Sequence, residues 1–167
     1  MWYKRPAELA PGGRGVGGAV EGSWRAGAGE GDAFHGTSIE GTAAWIDVAD
    51  IGPDDDAAVA AWLADPARPK ALHDANGPSL ALAARGWELA GLVVDTALAA
   101  YLVQPDQRSY DLADLTLRYL KRELRQDAVD VDQLSFDAMD DTSASDTAML
   151  TARAVLDLAD ALDGAVE

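Results

Sequence analysis

At Gly52 the chain changes rhythm, and that change limits the folds open to it. Before it, apolar residues come in short strand-like runs: "GRGVGGAVEGSW" (13–24), "AFHGTSIE" (33–40) and "TAAWIDVADI" (42–51). A glycine-rich turn, "RAGAGEGD" (25–32), separates the first two, and Gly41 marks a hairpin between the last two. After it, helix-length and strand-length stretches alternate. "GPDDDAAVAAWLADP" (52–66) reads as a helix with Pro53 in its first turn, Asp54, Asp55 and Asp56 at the positive end of its dipole, and Pro66 at its end. Its apolar face carries Val59, Trp62 and Leu63. "PKALH" (69–73) is a buried strand, "GPSLALAARG" (77–86) a short helix opened by Pro78 and closed by Gly86, and "LAGLVV" (89–94) a further strand. Asp95 caps a helix over 96–103. The best helix spans 109–125, with Leu112, Leu115, Tyr119 and Leu120 on one stripe, and a final helix, "DTAMLTARAVLDLADALDGAVE", spaces Leu150, Val155, Leu158 and Leu162 along one face.

Three locally joined strands predict an antiparallel meander, and the strand–helix units add to it, so the expected fold is a mixed-sheet α/β domain flanked by helices. The domain is expected over 14–163. Residues 1–13, broken by Pro6, Pro11, Gly12 and Gly13, form a flexible entry segment, and 164–167 a tail. Residues 126–146 read as an acidic, flexible insert rich in Ser and Asp. A length of 167 residues suits one domain, and a 49% hydrophobic content dominated by alanine predicts a helix-rich core of small side chains.

Charge and composition exclude several classes of function. With 29 acidic against 13 basic residues the net charge is −16, which repels polyanions and predicts weak or no DNA binding by the chain alone. The absence of cysteine excludes disulfides, thiolate catalysis and thiolate-bound zinc, and two histidines, His35 and His73, leave little room for a multi-histidine metal site. No apolar run approaches the roughly 18 residues of a membrane helix, and "MWYKRPAELAPGG" lacks the apolar centre of a signal peptide. A cytoplasmic location is the default expectation.

Each residue that suggests chemistry also has a structural account. Asp54, Asp55 and Asp56 suit a helix N-terminus, and Asp95 suits an N-cap. His73 beside Asp74 suggests a His–Asp base, but no Ser or Cys nucleophile motif accompanies it. Asp47 falls on a strand, where alternation turns it to solvent. "GRGVGG" satisfies a Gly-x-Gly-x-x-Gly spacing without the preceding strand and following helix that a dinucleotide site needs. Lys121, Arg122 and Arg125 form the densest basic patch, fit for phosphate contact, for an acidic neighbouring domain or for the negative end of a helix dipole.

The segments "KALHDANGPSLALAARGWELAGLVVDTALAAYLV" and "QRSYDLADLTLRYLKREL", with "GTAAWIDVAD" upstream, resemble the 3′–5′ exonuclease-like domain of bacterial DNA polymerase I in its actinobacterial form. The resemblance covers residues 14–163 and is tightest over 41–125. It implies a ribonuclease H-like, DnaQ-like exonuclease fold. Active members hold two divalent cations, Mg²⁺ or Mn²⁺, with four carboxylates. Two ions stabilise the charge that builds on the attacking and leaving oxygens, and hard cations require oxygen donors. Carried onto this chain, the first-strand Asp-x-Glu has no counterpart beyond Glu21, which Gly22 and Ser23 follow. In the second motif the metal-binding Asp falls on Pro78, and Asp74 stands where the family has Asn. In the third, Asp146 matches the Asp and Thr142 replaces the Tyr.

The resemblance with those losses implies a non-catalytic exonuclease-like scaffold of a DNA polymerase I, with no polymerase motif in this chain, no cofactor, and polymerase and 5′ nuclease modules as flanking partners. The alternatives are an active metal-dependent 3′–5′ exonuclease built on Glu21, Asp74 and Asp146, and a protein-interaction module working through the acidic insert. Within that insert "QLSFD" (133–137) resembles part of the peptide by which bacterial proteins bind the replication sliding clamp, with Gln133, Leu134 and Phe136 as the contact residues.

Overall fold

The computed structural model describes residues 16–25, 28–38, 43–47, 51–124, 141–163 and 165; in the first three strands this means the backbone together with Gly17, Gly18 and Ile46. Strands β1 (Val16–Arg25), β2 (Ala28–Ser38) and β3 (Ala43–Asp47) pair antiparallel. Helix α1 (Pro53–Ala64) leads to β4 (Lys70–Leu72), helix α2 (Asn76–Ala84) to β5 (Leu92–Asp95), and α3 (Thr96–Val103) follows directly. The strands form one five-stranded sheet in the order β3-β2-β1-β4-β5, with β4 parallel to both β1 and β5. Helix α4 (Leu112–Leu115) runs into a π turn over Thr116–Leu120, and α5 (Asp141–Asp163) ends the fold.

Several expected boundaries move. Most of the glycine-rich stretch 25–32 belongs to strands: Arg25 is the register partner of Ala28, Trp24 of Gly29 and Gly22 of Gly31. A strand ladder is made by backbone groups, which glycine keeps, so its lack of a side chain weakens a strand without forbidding it. Helix 109–125 is shorter than its apolar stripe: it starts at Leu112, widens into the π turn, and stops at Lys121, whose φ of 55° is left-handed. The last helix starts at Asp141, so 141–146 is helix and not insert. Along it Val155, Leu158 and Leu162 are buried as expected, but Leu150 is 64% exposed. Pro78 is the third residue of α2, not its first; the N–H it lacks is still one that a first turn leaves without a helical partner.

The core lies in separate clusters on the sheet. One joins Ile46 of β3 to Val59, Trp62 and Leu63 of α1, Leu82 of α2, and Trp87. A second joins Ala100 of α3, Leu115 of α4, and Leu158 and Leu162 of α5. A third sets Ala71 of β4 against Val155 and Ala159 of α5. Ala71 and Leu72 point to opposite sides of β4 and both are buried, so the sheet is covered on both faces there. Alanine supplies much of the interior, including Ala148, Ala152, Ala154 and Ala159 of α5. The closest approach is at Gly17, where a methyl group would come within 2.5 Å of the Ala152 carbonyl oxygen and 2.7 Å of Leu156 Cβ. Among the described residues no helix is long and apolar enough to cross a membrane.

Candidate functional site

The corner that follows β4 is the part of the fold where side chains converge on the backbone. Three buried residues, Lys70, Ala71 and Leu72, bring the chain to His73, and Asp74 then turns it through a left-handed φ of 47° into α2. From the neighbouring parallel strand, Asp95 reaches across this turn. Its Oδ1 accepts the N–H of Asp74 at 3.2 Å and its Oδ2 that of Ala75 at 2.9 Å. The same carboxylate caps α3, with Oδ1 accepting from Ala97 N at 3.0 Å and Leu98 N at 3.3 Å. The expected N-cap is thus also a clamp that ties β5 to the β4–α2 turn.

His73 is half-buried, with Nδ1 2.9 Å from Thr96 Oγ1, and that hydroxyl donates to the Leu72 carbonyl at 3.4 Å. Burial pushes the His73 pKa below its ordinary value, and Asp95, Asp74 and Asp111 oppose that shift. His73 is thus held against Thr96 at the end of β4.

Lys70 is 3% exposed. Its ammonium donates to the carbonyls of Asp65 at 3.0 Å, Arg68 at 2.9 Å and Ala90 at 2.8 Å, and lies 4.9 Å from the centre of the Trp62 ring. Burial lowers its pKa, Asp65 raises it and Arg68 lowers it further. Every ammonium hydrogen has a protein acceptor, so the side chain binds two loops together and presents nothing to a ligand. No sequence pattern marks this arrangement, because its three acceptors are main-chain oxygens.

The expected site residues are placed as follows. Pro78 is buried in the first turn of α2, and Asp74 is exposed at the turn before it. Glu21 lies on β1, opposite Ala33 and beside a register irregularity at Gly22. Asp146 lies in the first half of α5; the side chains of Glu21 and Asp146 lie outside the described residues. Among the described residues no group of three or more Asp, Glu or His side chains could hold a metal ion. At this corner Pro78 has no side-chain oxygen, and both oxygens of Asp95 accept backbone N–H groups.

Of the basic patch, Lys121 donates to the Arg118 carbonyl at 2.8 Å, and Arg122 forms an ion pair with Asp157 of α5, which Arg153 also pairs at 2.9 Å. Part of that patch thus fastens the end of the π turn to α5. Arg125 and the clamp-like residues Gln133, Leu134 and Phe136 lie outside the described residues. The acidic start of α1 has a similar use: Asp56 pairs with Arg85 at 2.8 Å and accepts from Trp87 Nε1 at 3.3 Å, joining α1 to the end of α2.

Parallel strands flanked by helices on an antiparallel meander, with a capped turn after β4, set the frame for comparison. A family model described as the DNA polymerase I, ribonuclease H-like domain matches residues 33–130. The chain belongs to this family. It is 54% identical to DNA polymerase I of Mycobacterium tuberculosis (strain H37Rv) over 159 residues, which is 94% of this chain and 18% of that protein. The chain thus spans less than a fifth of the length of this relative. Among solved structures it is similar to the POL domain of Pol1 from M. smegmatis in complex with DNA primer-template and dNTP, with 45% identity, a TM-score of 0.80, and coverage of 92% of this chain and 24% of that one. The EXO domain of Aedes aegypti Nibbler shares the fold at 17% identity, with a TM-score of 0.72 over 96% of this chain and 82% of that one.

Proposed function

We propose that this exonuclease-like domain of DNA polymerase I is non-catalytic and serves as a scaffold module in DNA replication and repair, needing no metal cofactor. One observation carries the reading: a buried proline stands in the first turn of α2 where the resemblance implies a metal-binding aspartate. The backbone turn is retained and reinforced by Asp95, whereas the oxygen donor is gone. Without that donor an ion at this corner would be left largely to water and held away from the geometry that in-line attack requires, and loss of even one transition-state contact costs about 10²–10³ in rate. The structural use of Arg122 and the charge of −16 favour a module that contributes shape rather than its own grip on DNA.

Incubation of the chain with 3′-labelled single-stranded DNA and Mn²⁺ tests this. The expected result is no metal-dependent shortening of the strand above a protein-free control. Shortening that disappears in both Glu21→Ala and Asp146→Ala would establish an active exonuclease and reverse the proposal.

A further inference from the structure

The loops that flank β4 and β5 bring three main-chain oxygens to one point. The carbonyls of Asp65 and Arg68 come from the loop after α1, and that of Ala90 from the loop before β5. Lys70 Nζ lies 3.0, 2.9 and 2.8 Å from them, the ordinary range of an N–H···O bond, and 4.9 Å from the centre of the Trp62 ring. Three acceptors and one aromatic face match the three hydrogens and the charge of a primary ammonium group.

The backbone holds these oxygens in place without the lysine side chain. In the first loop Asp65 Oδ1 accepts the N–H of Ala67 at 2.9 Å, and the Asp65 carbonyl accepts that of Arg68 at 3.2 Å. In the second, the N–H of Ala90 donates to the Leu63 carbonyl at 3.0 Å. The main-chain N–H of Lys70 joins the two by donating to Gly91 O at 2.8 Å. Gly91, at a left-handed φ of 70°, permits the close approach: a Cβ there would lie 2.6 Å from the Arg68 oxygen and 3.2 Å from that of Asp65. Asp65 is also the C-cap of α1, a helix with no basic residue in its last turn, so the negative end of its dipole is met by no cation of its own. Carbonyl oxygens that converge in this way repel one another unless a cation lies between them, as in pores where backbone oxygens replace an ion's water.

We infer that the carbonyls of Asp65, Arg68 and Ala90, with the Trp62 ring beside them, form a preformed binding site for a primary ammonium ion, which Lys70 occupies as a ligand tethered to the chain. The ligand class follows from the donors. A guanidinium spreads its hydrogens over a planar fork, and a quaternary ammonium has none to donate. Deleting the tether leaves a receptor that a free amine can fill.

Lys70→Ala keeps Cβ and removes three carbons and the nitrogen, which are the heavy atoms of n-propylammonium. Thermal melts of the 167-residue chain are recorded in n-propylammonium chloride and, at equal concentration, in potassium chloride, tetramethylammonium chloride and n-propanol. Lys70→Ala should melt below the parent chain. n-Propylammonium should raise its melting temperature saturably, by about 4 °C at ten times the dissociation constant. The parent chain should not respond, nor should Lys70→Met, whose side chain refills the space of the stem. No rise in Lys70→Ala would overturn the inference, as would an equal rise with any comparison solute or in Lys70→Met. If Lys70→Ala is unfolded in buffer, the same titration is read as recovery of helical circular dichroism, and absence of recovery overturns the inference equally.

Discussion

Asp95 shows how one side chain can tie together a turn and a helix start. Its two oxygens take up N–H groups from the turn at Asp74 and Ala75 and from the start of α3. Asp95→Ala removes an N-cap and strands two further donors, and should lower unfolding free energy by about 3 kcal/mol in urea titrations. Asp95→Asn, which can still cap, should lose less. His73 gives a pH signature. Its folded pKa lies below the 6.5 of the free side chain, so from pH 6.5 downward the unfolded chain binds the proton more readily, and stability falls until the folded pKa is passed. His73→Gln can keep a donor for Thr96 without that titration. The drop in melting temperature between about pH 7 and pH 5.5 should therefore be smaller in the variant. At this scale the sequence was partly legible. The capping role of Asp95 follows from its place before a helix, but its hold on Asp74 and Ala75 depends on two strands lying side by side. Lys70 was illegible for the same reason, since its carbonyl partners at Asp65 and Ala90 meet only in the folded chain.

Among the elements, the contact of β1 with α5 sets the tightest constraint. Gly17 is buried, and a Cβ there would overlap the main chain of α5 at the Ala152 carbonyl. Gly17→Val should cost about 3 kcal/mol, since backbone cannot step aside as a flexible side chain can. Gly52→Ala, where nothing lies within 4 Å of the added methyl, should be close to neutral, and thermal melts of the pair check both. Among the glycine-rich stretches only 25–32 misleads a reading by pattern: it looks like a turn, yet most of it pairs as strand. Gly17 lies in a stretch legible as a strand, but the helix that requires a glycine there comes more than a hundred residues later. The opposite error was made over 109–125. There the apolar stripe suggests one long helix, but the π turn and the left-handed Lys121 end it early and set Arg122 against Asp157. Elements whose ends are set by local chemistry, such as α1 behind Pro53 and α2 before the left-handed Gly86, were legible within a few residues.

At the scale of the whole molecule, fold and family were readable because the order of elements is distributed along the chain, whereas the chemistry of the site turns on single positions. On the reading proposed above, proline in place of a carboxylate at position 78 would leave the backbone of α2 unchanged, because the first turn of a helix tolerates proline.

The sheet order also bears on how the chain comes to be folded. β1 lies at the middle of the sheet, while α5, which rests on its bare backbone, is the last described element in chain order. During synthesis on a ribosome the central strand must wait for this cover until α5 has emerged. Closure by α5 is therefore a late event for this domain, and a nascent chain stalled before Asp141 would leave the groove beside Gly17 open.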